Sequence, residues 1–307
     1  MLPTERIEYS PIHSRADRVS LPGDANVAVW LIVNVEEWDP LQPMPRTVLT
    51  TPPAGGVPTP DIPNWAWHEY GNRVGFWRLL SIIDKHSIPA VLAINGAAID
   101  SYPPIVEAAI AREWEFIGHG LTQRNMQKVD DERLDIRLTT EAIERASGVR
   151  PRGWLGPGLT ETWETPDILV EEGYDYVCDW VLDDLPTSLT TRSGRITSIP
   201  YTQECNDVAM MLIQHHPAAE YRNRAIDQFT QLREDAIATG IPRVMALVVH
   251  PYIMGAPHRA RYVDEALAYI LGHEDAVFCT GQDILESYLG ASAHARAGAS
   301  TMPERTQ

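Results

Sequence analysis

The chain has 307 residues, 44% of them hydrophobic, which is enough to bury a large core as one domain. Lys and Arg number 25 against 42 Asp and Glu, a formal net charge of −17, and a field of that sign repels phosphate backbones and anionic lipids. Nucleic acid and membranes are therefore not expected partners. The three cysteines, Cys178, Cys205 and Cys279, are odd in number and show no CxxC spacing, so neither a disulfide framework nor a zinc ribbon is expected. A reducing cytoplasm fits that usage, as does a polar N-terminus without the apolar core of a secretory signal.

Residues 1–25 read as an irregular N-terminal arm, because Pro3, Pro11, Pro22 and Gly23 interrupt any periodicity. Residues 27–35, VAVWLIVNV, form a near-continuous apolar run of the kind buried on both faces in a parallel sheet. The segment 39–63 is rich in Pro and Thr, includes Gly55 and Gly56, and is long enough to be expected as a loop serving a site. Helical spacing at 74–86 and a buried strand at 89–95 complete a strand-helix-strand unit.

The pattern then repeats, with helices at 104–112, 130–147 and 165–172 between strands at 115–119, 153–155 and 176–180. Further strands are expected at 196–201 and 244–252, then helices at 258–271 and 282–289, and from Ala291 the composition turns small and polar, as in a disordered tail over 291–307. Alternating strands and helices imply an α/β fold with a parallel sheet, and this many units suggest a closed or nearly closed barrel over residues 26–290. An open doubly wound sheet is the alternative. Neither GxGxxG after the first strand nor GxxxxGK[ST] is present to support a nucleotide-binding version of it.

Three expected strand ends carry ionisable residues. Asn34, Glu36 and Glu37 close the first strand, at the end where parallel sheets place their sites. Neighbouring strand residues face opposite sides, so one carboxylate of the pair is expected to aim along the barrel axis. A strand exit that simply becomes polar explains the pair as well. His119 follows Phe116-Ile117 between two glycines that allow close approach of backbone and substrate. His250 closes the run 244–249, and an imidazole with a reference pKa of about 6.5 can protonate a leaving nitrogen near neutral pH. A lone histidine is usually structural, but three such clusters at three strand ends are harder to dismiss than one.

Of the tryptophans, Trp65, Trp67 and Trp77 read as core or subunit contacts, while Trp38, Trp154 and Trp180 stand beside these clusters and could wall a small apolar pocket. Glu69, Tyr70 and Arg73 are explained nearly as well by a salt-bridged helix start as by a binding role. His215-His216 reads as a polar loop.

Taken in order, NVEEW (34–38), GHGLTQ (118–123), GWLGP (153–157), CDWVLDDLP (178–186) and VVHPYIMG (248–255) resemble the polysaccharide deacetylase superfamily. The likeness is greatest to its branch of metal-independent allantoinases and cyclic imide hydrolases, which the segment NWAWHEYGNRVGFWRLL also resembles. The resemblance implies a deacetylase-type distorted (β/α) barrel and a homo-oligomer, that branch tending to tetramers. In metal-dependent members the first motif holds two aspartates, a base and a ligand, and the second holds two histidines four apart. By position Glu36 is the base, Glu37 stands at the ligand place and His119 at the first histidine, whereas Gln123 replaces the second. A neutral amide is a weak ligand, so no metal cofactor is expected, with zinc as the alternative. Trp154 stands near the place of the arginine that buttresses the base, and His250 keeps the place of the general acid.

The implied reaction is hydrolysis of the C–N bond of a small cyclic amide, an imide, hydantoin or ureide such as allantoin. Glu36 would activate water, Glu37 and His119 would orient it, and His250 would protonate the departing nitrogen. The oxyanion would fall to protonated His119, backbone N–H groups or the Gln123 amide. Asn34, Trp38, Gln123, Trp154, Glu69 and Arg73 are the expected substrate contacts. Two other readings stand beside it: a metal-dependent N-deacetylase of acetylated sugars, and a catalytically silent barrel that binds a small ligand.

Overall fold

Nine residues without a charge, every one of them buried, form β1 (Val27–Val35) where the apolar run predicts it. The computed structural model describes residues 2–15, 19–50, 56 and 58–300, with the backbone alone for 291–300. The other strands are β2 (Val91–Ile94), β3 (Glu115–Gly118), β4 (Gly153–Trp154), β5 (Tyr176–Val177), β6 (Thr187–Thr191), β7 (Gly194–Ser198), β8 (Arg243–Val249) and β9 (Ala276–Phe278). They make one curled sheet in the order β6-β7-β5-β4-β3-β2-β1-β8, with β9 beside the start of β1. All pairings are parallel except the β6–β7 hairpin. β8 returns to lie against β1, as in a (β/α) barrel and unlike the open alternative. Among the described residues its far edge meets no strand ladder, only an isolated parallel bridge between Val248 and Asn206. Val244 N donates to the Asp184 carbonyl at 2.8 Å and Val248 N to that of Cys205 at 3.0 Å, so irregular chain completes the curl.

The period of two along β1 decides what faces where. Val27, Val29, Leu31, Val33 and Val35 pack outward against helices. Ala28, Trp30 and Ile32 point into the barrel with Ile117, Tyr176, Tyr201 and Val248. Trp30 spans this interior, its indole N–H donating to the Pro200 carbonyl at 2.9 Å. The interior below the site is therefore packed, and the strand ends above it are free to line a cavity.

Outside the sheet lie α1 (Ile62–Tyr70), a π-helical turn (Gly71–Gly75), α2 (Phe76–His86), α3 (Pro103–Ile110), α4 (Glu132–Ser147), α5 (Thr165–Glu171), α6 (Ala219–Thr239), α7 (Ala260–Leu271) and α8 (Gly281–Ser300). Helix therefore begins at Ile62, inside the expected loop. The 21-residue α6 and the strands β6 and β9 lack counterparts in the sequence reading. α6 buries only a thin stripe, Tyr221, Ala225, Phe229, Leu232 and Ala236, within a mostly polar segment. The backbone of α8 continues to Ser300, past the expected start of a disordered tail at Ala291, and its recurrent alanines favour helix. The rest of that tail, 301–307, lies outside the described residues. The N-terminal arm is tied down: buried Arg6 pairs with Asp167 at 2.8 Å and donates to the Trp163 carbonyl at 3.0 Å. The three cysteines are buried free thiols, and no helix of the described residues is long and apolar enough to cross a membrane.

The π-helical turn seats the helix on the chain that follows β8. Gly71 and Gly75 lie so close to this chain that a Cβ on Gly71 would fall 2.4 Å from Tyr252 N and one on Gly75 would fall 2.1 Å from the Pro251 carbonyl oxygen. Such turns often mark functional positions. Because backbone meets backbone there, Gly75→Ala is expected to cost about 1–3 kcal/mol, read as a lowered midpoint of thermal or urea unfolding. An unchanged midpoint would show that the helix can slide away from Pro251 without loss.

Candidate active site

Register places the strand ends in one row. Val35 pairs with Ile94, Ile94 with Gly118, Gly118 with Trp154 and Trp154 with Val177, while Val33 pairs with Val249. The residues that follow Val35, Gly118, Trp154 and Val249 are Glu36, His119, Leu155 and His250, and all four line one cavity of about 350 Å³. Asn34, Gln123, Arg46, Tyr201, Gln203, Asn206 and the turn Gly156, Gly158 and Leu159 complete most of its wall.

Glu36 is 3% exposed. Its Oε2 accepts from the Trp38 indole N–H at 2.6 Å, and its Oε1 lies 3.5 Å from His250 Nε2. The other ring nitrogen of His250 is 2.6 Å from Asp207 Oδ1, and the His250 backbone N–H donates to Asp207 Oδ2 at 2.7 Å. A carboxylate accepts, so Nδ1 carries the hydrogen and the ring is held in one orientation. Burial by itself would lower the His250 pKa, but the Asp207 carboxylate, its hydrogen bond and the charge of Glu36 override it and raise the pKa. His250 is thus a retained proton source between two carboxylates.

His119 is built differently. Its Nδ1 is 2.6 Å from the Leu155 carbonyl oxygen, which can only accept, so this nitrogen also bears the hydrogen. Burial lowers the His119 pKa despite the nearby Glu36. The neutral ring then presents a lone pair on Nε2, and the expected oxyanion donor, protonated His119, is corrected to an acceptor able to hold water or a substrate N–H. Asn95 braces the two strand ends by accepting from Glu37 N at 2.8 Å and donating to the His119 carbonyl. Gln123 N donates to the Glu37 carbonyl at 3.1 Å, which brings the Gln123 side chain to the rim.

The remaining expected site residues lie elsewhere. Glu37 has the opposite parity to Glu36 and faces Ser101, Tyr102 and Glu69. Burial, then the charge of Glu69, raises its pKa there. Trp38 is a support: it is stacked on His68 with ring centroids 4.3 Å apart and gives its N–H to Glu36. Trp65 and Trp67 pack behind it, whereas Trp77 is partly exposed. Trp154 points outward against Tyr174. Trp180 is held by Glu161 at 2.7 Å. Glu69 and Arg73 lie on a separate groove with Trp65 and Tyr70, where Glu69 accepts from the Tyr102 hydroxyl and lies 3.6 Å from His68 Nδ1.

Asp207, Arg46, Tyr201 and Asn206 were missed. Tyr201, Asn206 and Asp207 fall in IPYTQECND (199–207), a segment that resembles the same branch but in which no site residue was singled out, and Arg46 sits in a loop without periodicity. Asn34 behaves as expected of a binding residue. It is 1% exposed, it lines the cavity beside the Tyr201 hydroxyl, and neither amide atom makes a close, well-aligned hydrogen bond among the described residues. A buried amide left unpaired is costly unless something else supplies its partners.

The donors do not suit a catalytic zinc. The family resemblance would use Glu37, His119 and position 123, yet the Glu37 carboxylate lies across the strand from His119, and position 123 supplies an amide. Among the described residues no group of three or more His, Cys, Asp or Glu side chains could hold a metal ion.

Residues 66–177 match the polysaccharide deacetylase family model, a span that includes His119 but begins after Glu36 and ends before His250. A candidate polysaccharide deacetylase of Schizosaccharomyces pombe is 25% identical over 300 residues, covering 87% of this chain and 91% of its relative. Two solved structures share the fold. PuuE allantoinase has a TM-score of 0.82 at 24% identity, covering 94% of this chain and 98% of its own. A candidate polysaccharide deacetylase of Pseudomonas aeruginosa PAO1 has 0.79 at 24%, covering 92% and 95%.

The two cavity histidines should titrate apart. In an NMR titration of ring-labelled protein, His250 is expected above the ordinary imidazole value of about 6.5 and His119 below it. Asp207→Asn should move His250 downward. Histidines that titrate together, or a His250 indifferent to Asp207, would contradict the assigned roles.

Proposed function

We propose that this chain, which carries a polysaccharide deacetylase domain, hydrolyses the C–N bond of a small cyclic amide without a metal. The observation that carries the reading is the division at the end of β1: Glu36 joins His119 and His250 in the cavity, while Glu37, at the position a metal would need, faces the other way. In this mechanism Glu36 takes a proton from a water held against His119 Nε2, and the water attacks the ring carbonyl. The tetrahedral oxyanion is met by neutral donors at the wall, the Gln123 amide and the Asn34 Nδ2 group among them. His250 then gives its proton to the departing nitrogen, and Asp207 stabilises the imidazolium until that transfer.

Substrate size and reactivity favour a ring. A cavity of about 350 Å³ lies near the lower end of the roughly 300–1,000 Å³ typical of small-molecule sites and suits a single ring better than an oligosaccharide. A nitrogen flanked by two carbonyls is also a better leaving group than a simple amide nitrogen, so less is asked of a site that lacks a Lewis acid. Activity is expected to fall as pH rises through the raised His250 value, since the proton needed by the leaving nitrogen is then lost.

The test is a hydrolysis panel of hydantoin, succinimide-type rings, allantoin and chitooligosaccharides with protein stripped by a chelator. Ring opening that survives stripping is the expected result, with little acetate released from the sugars. Acetate release that depends on added zinc would replace this reading with the sugar deacetylase.

A further inference from the structure

The cavity holds one lysine or arginine among its described lining residues, Arg46, carried on the loop between β1 and α1. One terminal nitrogen, Nη1, donates to the Pro45 carbonyl at 2.8 Å. The other, Nη2, lies against the Gly158 turn, where a Cβ on Gly158 would stand 3.7 Å away. No carboxylate among the described residues comes within ion-pair distance of Arg46. That is unexpected in a chain with 42 acidic and 25 basic residues. Arg46 lines the same cavity as Glu36, His119 and His250.

We infer that Arg46 is the binding site for a carboxylate substituent, so that the preferred substrate is a cyclic amide bearing one carboxylate beyond the ring carbonyl that is attacked. This rests on the reading of the cavity as the seat of C–N hydrolysis. With Nη1 held by Pro45, the free Nε–Nη2 edge is a two-pronged donor that matches the two oxygens of a carboxylate. A more highly charged group such as a phosphate fits less well: it would meet one cation in a cavity whose inner end holds the Glu36 carboxylate. Asn34, Gln203 and Asn206 remain as neutral partners for the polar atoms of the ring.

The experiment compares hydantoin with hydantoin-5-acetic acid on the full-length wild-type protein and on Arg46→Gln, following kcat/KM and, by calorimetry, equilibrium binding. The carboxylated ring should be the better wild-type substrate by about tenfold or more. Arg46→Gln should lower its kcat/KM about tenfold to a hundredfold further than that of the neutral ring, with the loss chiefly in KM and in binding. A wild-type protein that does not favour the carboxylated ring overturns the inference. An equal fall for both rings also overturns it, because Arg46 would then serve the reacting atoms. If neither ring is opened, the reading of the reaction fails, and calorimetry still decides the point: tighter binding of the carboxylated ring that is lost in Arg46→Gln supports the carboxylate site, and equal binding refutes it.

Discussion

A carboxylate buried at the end of an apolar strand is the constraint around which the rest is arranged. Removing Glu36 from water costs several kcal/mol unless donors and opposite charge replace the solvent. Trp38 supplies a hydrogen bond to one oxygen, and His250 stands near the other, its proton retained by Asp207. The row Asp207, His250, Glu36 places the imidazole between two carboxyl groups, whose charge raises the His250 pKa. The supports are themselves buried: His68 stacks on Trp38, and the glycine-lined helical turn presses on the chain that carries Tyr252.

The same strand geometry explains why two adjacent glutamates have unequal parts. Alternation sends Glu36 inward with Asn34 and sends Glu37 outward, where it meets Ser101, Tyr102 and Glu69. Alternation also turns Trp154 away while Leu155 uses its carbonyl to fix the His119 tautomer. In the proposed reaction Glu36, set beside His119 and His250 in one cavity, activates water as a general base. That chemistry suits rings whose nitrogen departs readily.

Much of this was legible because it depends on local periodicity. The apolar run of β1, the helical spacing of α2 and the three ionisable strand ends placed the barrel and brought Glu36, His119, His250, Asn34 and Gln123 to one end. What escaped depends on contacts distant in sequence. Asp207 acts only because a turn after β7 lies against β8. Arg46 acts only because an irregular loop folds over the strand ends. α6 buries so thin a stripe that its polar face hides its period. Trp38 and Trp154 were placed by nearness in sequence, which carries no information about the side of the strand from which a ring leaves. Glu69 and Arg73 belong to a helix whose outer surface forms a different groove.

The account stands most directly on Glu36 as the base. Its measurement is the turnover of Glu36→Gln on a cyclic amide that the wild-type protein opens, with circular dichroism showing an unchanged fold. A fall in kcat of about a hundredfold or more is the result this mechanism predicts. Turnover close to wild type would contradict it, because the buried carboxylate would then be a structural charge and the water would be activated by another group.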